Sequence, residues 1–351
     1  MNTDCYCTLF DKNYLDKGIV MIDSLISASG SCRIYVLCMD SFTYDALSVI
    51  YSKKIFLVSI DEILDGKLES VRSERTAGEF CWTCTAVLIR YILKTKKEHC
   101  CTYVDADLFF YINPNILIQE MHEHDCTVQV VPHWFGPSFI DRYREKESGK
   151  FCVQFNTFTS EERSMELLNE WINSCINDCS LQNHGDQLYI NNWEKFDFVN
   201  VTEYSGAGVA PWNIKRYYAS KGCVFDRLKK CQINLIFYHF QDIEYLDRYH
   251  IYLKPFIQHK TVDKKMYYDI YIPYLLKIEK TKERLEKLFD FVPKAGFIGY
   301  KKSNHKEKTS FLARIKTKFE KPFLFIIDDF FQKVRRITRE RISHIDLTRY
   351  L

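Results

Sequence analysis

The sequence predicts an α/β fold in which a mostly parallel sheet is flanked by helices. β-Prone segments alternate with segments of helical apolar spacing, at residues 4–10, 14–28, 33–38, 42–52 and 55–58. Such alternation is typical of βαβ units with parallel strands. Of the 351 residues, 46% are hydrophobic and 27% are charged, with 12 Gly and 8 Pro, which indicates a folded chain with a large core.

The later part of the chain continues the pattern. We expect strands over 101–104, 127–131, 151–158 and 235–240, helices over 83–94, 161–177 and 273–289, and an irregular polar loop over 135–150. In open α/β sheets, ligands bind at the carboxyl ends of the strands. Polar residues that follow a predicted strand should therefore line one edge of the sheet.

Two aspartates, Asp105 and Asp107, follow the predicted strand that ends at Val104. At strand spacing, residues i and i+2 point to the same side, so both carboxylates can meet one hard cation. A cation held there would bind phosphate oxygens in turn, and no Gly-rich phosphate loop follows any predicted strand. An isolated Asp-x-Asp is more often a solvated turn, and the rest of the site has to decide between the two interpretations.

Other side chains could complete such a site. His239, at the end of a late strand, is a candidate third ligand, which favours Mn²⁺ while leaving Mg²⁺ open. Arg90 could bind phosphate, and Asp186 and Gln187, at a predicted helix start, could hydrogen-bond sugar hydroxyls. Each has an ordinary alternative, namely a core histidine, a solvated arginine and a helix N-cap.

The net charge of +3 is unevenly distributed along the chain. Residues 301–351 hold 14 Lys and Arg against 6 Asp and Glu, a net +8, which leaves −5 for the first 300 residues. The charge of the main part therefore does not indicate a nucleic-acid-binding protein. We expect two parts, a domain over 1–300 and a basic amphipathic helical tail over 301–351, in which 309–343 suits an anionic membrane surface. The alternative is a terminal helix that docks on its own domain.

The 14 cysteines do not indicate a disulfide framework, because many lie in apolar strand-like segments, where free cysteine behaves as a small hydrophobe. Cys81-x-x-Cys84 has no second pair at zinc-site spacing, so a structural role is expected. The N-terminus shows no secretory pattern and no apolar segment reaches membrane-spanning length. The expected location is the cytoplasm, with peripheral attachment at the inner face of the cell membrane as an extension.

Residues 4–240 resemble the GT-A-fold glycosyltransferases, specifically family 8-like nucleotide-sugar transferases of the bacterial surface-polysaccharide type. The resemblance lies in an ordered set of motifs: Thr8-Leu9-Phe10-Asp11-Lys12-Asn13-Tyr14, Arg90-Tyr91-Ile92-Leu93, Val104-Asp105-Ala106-Asp107, Gln154-Phe155-Asn156-Thr157, Gly185-Asp186-Gln187 and His239-Phe240. It implies a Rossmann-like, mixed, mostly parallel sheet. Two motifs depart from the family pattern, because Leu188 replaces an aspartate and Gln241 follows His239-Phe240 without the family's Lys-Pro-Trp.

The resemblance also implies roles for individual residues. The donor would contact Thr8, Phe10, Tyr14, Arg90, Asp105, Ala106 and Asp107, and Mn²⁺ or Mg²⁺ would bind Asp105, Asp107 and His239. Asp186 and Gln187 would be catalytic, and His133, Trp134, Gln154 and Trp212 would form the acceptor or sugar pocket.

The expected function is metal-dependent transfer of a sugar from a nucleotide-diphosphate donor, a UDP-sugar, to a hydroxyl of a glycan or lipid-linked acceptor in bacterial surface polysaccharide synthesis. Retention and inversion of configuration both remain open. The alternatives are a sugar nucleotidyltransferase and a non-catalytic adaptor at the membrane surface.

Overall fold

A computed structural model of the chain describes residues 4–52, 54–181, 185–214, 216–220, 222–253, 264–297 and 344–351. The helices are α1 (Leu15–Ser29), α2 (Ser41–Tyr51), α3 (Gly66–Arg72), α4 (Ala77–Thr95), α5 (Asn115–Glu123), α6 (Phe139–Ser148), α7 (Glu162–Asn177), α8 (Lys264–Met266) and α9 (Ile272–Phe289). The strands are β1 (Asp4–Phe10), β2 (Cys32–Cys38), β3 (Phe56–Ser59), β4 (Cys100–Val104), β5 (Leu108–Phe110), β6 (Val128–Pro132), β7 (Phe151–Thr159), β8 (Val199–Val201), β9 (Ala207–Val209), β10 (Tyr217–Ser220), β11 (Cys223–Asp226), β12 (Cys231–Asn234), β13 (Phe237–His239), β14 (Ile243–Tyr245), β15 (His250–Leu253) and β16 (His344–Asp346).

A central seven-stranded sheet runs in the order β3-β2-β1-β4-β7-β6-β8. Its neighbouring strands are parallel except at β7, which is antiparallel to both β4 and β6. Alternate residues of β1 enter two cores on opposite faces: Cys7 and Leu9 pack with α4 and α7, whereas Tyr6 and Phe10 pack with α1 and α2. The predicted α/β fold with a mixed, mostly parallel sheet flanked by helices is confirmed.

Helix α4 begins six residues before the predicted start. Thr76 caps it in a reciprocal arrangement, in which the Thr76 hydroxyl accepts from the backbone N–H of Glu79 and the Glu79 carboxylate accepts from the backbone N–H of Thr76. This capping box satisfies two backbone donors that a helix start leaves unpaired. The apolar periodicity identified the helix, and the capping residues fix where it begins.

The segment over 135–150 is not the irregular loop expected from its polar composition. It contains helix α6, which begins where the Ser138 hydroxyl accepts from the backbone N–H of Asp141 and ends at Gly149, whose φ is 88°. A polar helix whose one buried residue is Asp141 lacks the apolar stripe that periodicity detects. The cap residues therefore carry the signal that the apolar pattern misses.

Two small sheets complete the part of the fold that positions the site. One has the order β5-β13-β9, and the other joins β14, β15 and β16, so that residues near the C-terminus pair with residues near position 250. The predicted membrane-binding segment 309–343 lies outside the described residues. Among the described helices, none combines the length and apolar character that crossing a bilayer requires.

Candidate functional site

The site lies where the central sheet and the small β5-β13-β9 sheet meet. Asp105 and Asp107 follow β4, and the chain continues directly into β5. Strand β13 is antiparallel to β5 and places His239 opposite Leu108. The backbone N–H of Phe240 donates to the carbonyl of Asp107 at 2.9 Å, which fixes the two segments side by side. A residue from the late strand is thereby brought to the predicted aspartate pair.

Asp105, Asp107 and His239 form a compact cluster in which one ligand atom from each lies within 4.8 Å of the others. His239 Nε2 is 3.1 Å from Asp107 Oδ1 and 3.9 Å from Asp105 Oδ2. Two carboxylates and one imidazole make a donor set that suits Mn²⁺ and also accepts Mg²⁺. The three predicted metal ligands are therefore together in the structure.

Three neighbours hold the cluster in place. His239 donates from Nδ1 to the side-chain oxygen of Gln154 at 2.8 Å, which leaves Nε2 facing the carboxylates. Trp212 packs edge-on against the same imidazole at 5.0 Å, and Tyr103 donates its hydroxyl to Asp105 Oδ1 at 3.0 Å. Partners of this kind fix the tautomer and orientation of metal ligands.

The charges of the cluster are strongly coupled. Burial raises the pKa of Asp105 to about 6, against the opposing charge of His239. For Asp107, burial is outweighed by the charge and hydrogen bond of His239, so its pKa is lowered. Burial would lower the pKa of His239, but the adjacent Asp107 raises it well above 6.5. A divalent cation that binds these three side chains would compete with protons for them.

Asp186 and Gln187 lie at a short 3₁₀ turn, Gln187–Ile190, rather than at an α-helix. Asp186 is buried, its Oδ2 has no hydrogen-bond partner among the described residues, and its pKa is raised well above 3.8 by burial and then by the charges of Cys179 and Asp105. Gln187 donates to the carbonyl of Ser148 at 2.5 Å. Burial thus favours the protonated form of Asp186, and the charge of Asp105 links this side chain electrostatically to the cation cluster.

His133 and Trp134 face different surroundings although they are adjacent. The His133 ring lies 5.5 Å from Trp212, which also contacts His239, and burial lowers the pKa of His133 to about 4. Trp134 has a left-handed backbone, φ 54°, and donates Nε1–H to the carbonyl of Ala207 at 2.7 Å. The Arg216 guanidinium lies 5.0 Å over the Trp134 ring.

An open groove adjoins this segment and has a volume of about 480 Å³. Its lining residues are Pro132, Trp134, Phe135, Glu145, Lys150, Phe151, Glu194, Val201 and Arg216. The cations of the groove already have partners, because Lys150 pairs with Glu194 and Arg216 pairs with the fully buried Asp226.

The remaining predicted donor residues are arranged unevenly. Tyr14 is 41% exposed at the edge of the sheet, and burial of its hydroxyl, followed by the charge of Asp107, raises its pKa. Ala106 lies between the two aspartates and is buried. The side chains of Thr8 and Phe10 are buried, and Phe10 packs so closely on Gly18 that an added Cβ would lie 2.4 Å from its ring.

Arg90 contacts a neighbouring helix. Its Nη1 lies 3.4 Å from the side-chain oxygen of Asn169 on α7, and among the described residues no hydrogen bond or ion pair joins it to Asp105 or Asp107. The helix α4 packs on α7, and Arg90 faces that neighbour. The donor-binding role of Arg90 stays a prediction.

Two nearby residues have features that the motifs did not reveal. Tyr103 is the partner of Asp105, and Lys17, in the first turn of α1, lowers the pKa of Asp107 together with His239. Lys17 could have been noticed as a charged residue within the apolar segment 15–28. Tyr103 carries no such signal, because a tyrosine in an apolar strand resembles any core residue.

Comparison with known proteins finds distant relatives. No family model matches the chain. The chain is 27% identical over 307 residues to the uncharacterized protein YfnD of Bacillus subtilis (strain 168), with 85% of this chain and 96% of that protein covered. It is 26% identical over 223 residues to the uncharacterized protein YfnF of the same organism, with 60% and 72% covered.

Similar solved structures include the galactosyltransferase LgtC in complex with donor and acceptor sugar analogs, at a TM-score of 0.47 and 12% identity, with 74% of this chain and 98% of that chain covered. Mouse xyloside xylosyltransferase 1 gives a TM-score of 0.46 and 12% identity, covering 68% and 98%. The glycosyltransferase GlyE of Streptococcus pneumoniae TIGR4 gives 0.42 and 14%, covering 61% and 49%. These are GT-A-type glycosyltransferases, the type that the sequence motifs predict.

Proposed function

We propose that this protein is a glycosyltransferase that moves a sugar from a nucleotide-diphosphate donor, a UDP-sugar, to an acceptor hydroxyl. The observation that carries the proposal is the cluster of Asp105, Asp107 and His239 at the carboxyl end of β4. That edge is where parallel α/β sheets bind nucleotides, and the donor set of the cluster is one that a diphosphate-bound cation requires.

Mn²⁺ or Mg²⁺ fits the cluster on the chemistry of its side chains. The ligand atoms converge within 4.8 Å, and Gln154 already orients the imidazole. When bound, such a cation would offset the negative charge that develops on the leaving diphosphate. Asp105, Asp107 and His239 hold it, while Tyr103 and Gln154 keep two of those ligands in their productive orientation.

Asp186 and Gln187 are assigned to the transferred sugar. Because burial raises the pKa of Asp186, its protonated form is favoured, and in that form it can donate a hydrogen bond to a sugar oxygen. A retaining course requires no strong base from the protein, whereas in an inverting course Asp186 would be the base on the acceptor side. Gln187 would lie near the anomeric carbon.

The groove beside Trp134 is assigned to the acceptor. Trp134 follows His133 in the sequence, and the His133 ring contacts Trp212, which in turn contacts His239. The ring of Trp134 is fixed by its hydrogen bond to the carbonyl of Ala207. A volume of about 480 Å³ is within the range of small-ligand sites. Aromatic faces with polar rims suit a saccharide, and because Lys150 and Arg216 are already paired, a neutral sugar suits the groove better than a phosphate.

A lipid-linked glycan in bacterial surface polysaccharide synthesis is the acceptor that we favour, with the basic segment 309–343 holding the protein to the inner face of the cell membrane. The motif resemblance and the composition of that segment support this part of the proposal.

The loop after β1 argues against a nucleotidyltransferase. That class usually cradles phosphates with free backbone N–H groups of a Gly-rich loop. Here Asp11 accepts from the backbone N–H groups of Asn13 and Tyr14, and Asp40 accepts from that of Lys12. The loop has its donors satisfied by its own carboxylates, so it offers little to an anion.

The test is hydrolysis of UDP-sugars by Asp105→Asn and Asp107→Asn with added Mn²⁺. We expect a loss of about 100-fold or more in metal-dependent turnover for each, because each removes a charged ligand. Asp65→Asn is the matched control, since Asp65 caps the remote helix α3. Unchanged metal-dependent turnover in the two cluster variants would show that the cluster does not serve catalysis.

A further inference from the structure

Lys17 lies beside the cation cluster because of the sheet topology. Strands β1 and β4 are parallel neighbours, with Cys7 opposite Tyr103, so the residues that follow β1 stand next to those that follow β4. Helix α1 begins at Leu15, directly after the short turn that follows β1. Lys17 therefore belongs to the same edge of the sheet as Asp105 and Asp107.

The environment of Lys17 is unusual for a lysine. Only 4% of the residue is exposed, yet within the described ranges of the chain it forms no ion pair with a carboxylate. Its Nζ donates to the carbonyl of Ala295 at 3.2 Å and lies 4.3 Å from the centre of the Tyr14 ring. Burial of an ammonium group without a counter-charge is unfavourable. A ligand that brings negative charge would relieve it.

A second buried lysine shows the contrast. Lys282, on α9, is 1% exposed and lies 3.7 Å from the carboxylate of Asp16 and 3.7 Å from the centre of the Tyr245 ring. Lys282 thus has its counter-charge inside the protein. Among the described residues Lys17 has no such ion pair, and the neighbours of its ammonium group are the Ala295 carbonyl and the Tyr14 ring.

We propose that Lys17 is the fixed positive charge of the donor site and that it serves the diphosphate of the nucleotide sugar. The inference rests on the proposed function and extends it by naming a residue for the phosphates. Tyr14, which is 41% exposed and covers the Lys17 ammonium, marks the path by which the diphosphate approaches.

The charge of Lys17 should act on two ligands with opposite signs. It repels a bare divalent cation at Asp107 and attracts a diphosphate that arrives with the cation. Removal of the charge should therefore tighten the binding of Mn²⁺ alone and weaken the binding of UDP in the presence of Mn²⁺. A residue that only supports the fold would weaken both or neither.

The test compares Lys17→Gln with the wild-type chain by titration calorimetry, with Mn²⁺ alone and with UDP at saturating Mn²⁺. The glutamine amide can keep the hydrogen bond to the Ala295 carbonyl while the charge is lost. We expect UDP affinity to fall about tenfold or more and Mn²⁺ affinity not to fall. Lys17→Arg keeps the charge and should retain most of the UDP affinity. If the glutamine variant folds poorly, a large loss of UDP affinity in Lys17→Arg would count against the proposal.

Lys282→Gln is the matched control, because it removes an equally buried charge that already has a partner. Equal losses of UDP affinity in Lys17→Gln and Lys282→Gln would overturn the inference, as would an unchanged UDP affinity in Lys17→Gln. If the wild-type chain itself does not bind UDP with Mn²⁺, the proposed UDP-sugar donor is wrong, and the role of Lys17 falls with it. A wild-type chain that binds UDP while Lys17→Gln binds it equally well refutes only the role of Lys17.

Discussion

Ile345, close to the C-terminus, should contribute as much to stability as a residue of the central core. It is fully buried in β16, where it lies opposite Ile251 of β15. It belongs to the same apolar cluster as Tyr238 and Phe240, the two residues that flank His239. Replacement of a buried Ile by Ala costs about 2–5 kcal/mol, since apolar contacts are lost and a cavity remains. We expect Ile345→Ala to lower the free energy of unfolding by that amount.

Urea denaturation followed by tryptophan fluorescence measures the effect, and Leu351→Ala provides the control. Leu351 is 63% exposed at the end of the same segment, so its truncation should change the free energy of unfolding by less than about 0.5 kcal/mol. If the two variants were equally stable, β16 would not be part of the folded domain. In that case, the packing described around Tyr238 and Phe240 could not depend on the C-terminal residues.

This result also decides how the basic segment should be tested. A chain truncated after residue 300 would lose β16 together with 309–343, so a loss of activity could come from unfolding alone. Replacement of 309–343 by a neutral flexible linker keeps residues 344–351 in place. Liposome binding and donor hydrolysis of that variant then report separately on the membrane role and on the site.

Three further results are expected. Gly208→Ala should lower Mn²⁺ affinity about 10- to 100-fold in calorimetry, because a Cβ there would lie 2.6 Å from the Gln154 amide that holds His239. Gly222→Ala is the control for backbone strain, because Gly222 has a similar positive φ and open space around it. Burial lowers the pKa of His133 to about 4, so as the pH falls below about 6.5 the unfolded chain binds a proton before the folded chain does. The free energy of unfolding should therefore fall by up to about 3 kcal/mol between pH 6.5 and 4. Acid-denaturation curves should show a smaller fall in His133→Gln. Trp134→Ala should reduce transfer to neutral oligosaccharides about tenfold or more and leave donor hydrolysis within about twofold, and equal losses in both assays would remove the groove from the acceptor role.

The sequence was informative where its signal is local or periodic. The alternation of strands and helices predicted the sheet, and the spacing of two aspartates after a strand predicted the carboxylate pair of Asp105 and Asp107. His239 could be added from its place at the end of a late strand. These features follow from the two periods of secondary structure and from the rule that ligands gather at strand ends.

Features that depend on packing between distant segments could not be found this way. The helical spacing showed that Arg90 lies on a different face of α4 from the apolar residues. It did not show that α7 packs against that face, or that Arg90 contacts Asn169. The pairing of β16 with β15 joins residues almost a hundred positions apart and leaves no local trace. Apolar periodicity does not detect helix α6, because this helix is polar. The local signal for its start is the capping residue Ser138.

The way the cluster is assembled links cation binding to the stability of the fold. Asp105 and Asp107 come from the turn after β4, and His239 comes from a strand much later in the chain, joined to them through the pairing of β5 and β13. Unfolding separates these ligands, so a cation that binds all three binds only the folded chain. Saturating Mn²⁺ must then raise the apparent stability by an amount fixed by its affinity, about 2.7 kcal/mol at a hundredfold excess over the Kd. The stabilisation should disappear in Asp107→Asn and persist in Asp65→Asn, because only the first variant loses a charge that lies 3.1 Å from His239.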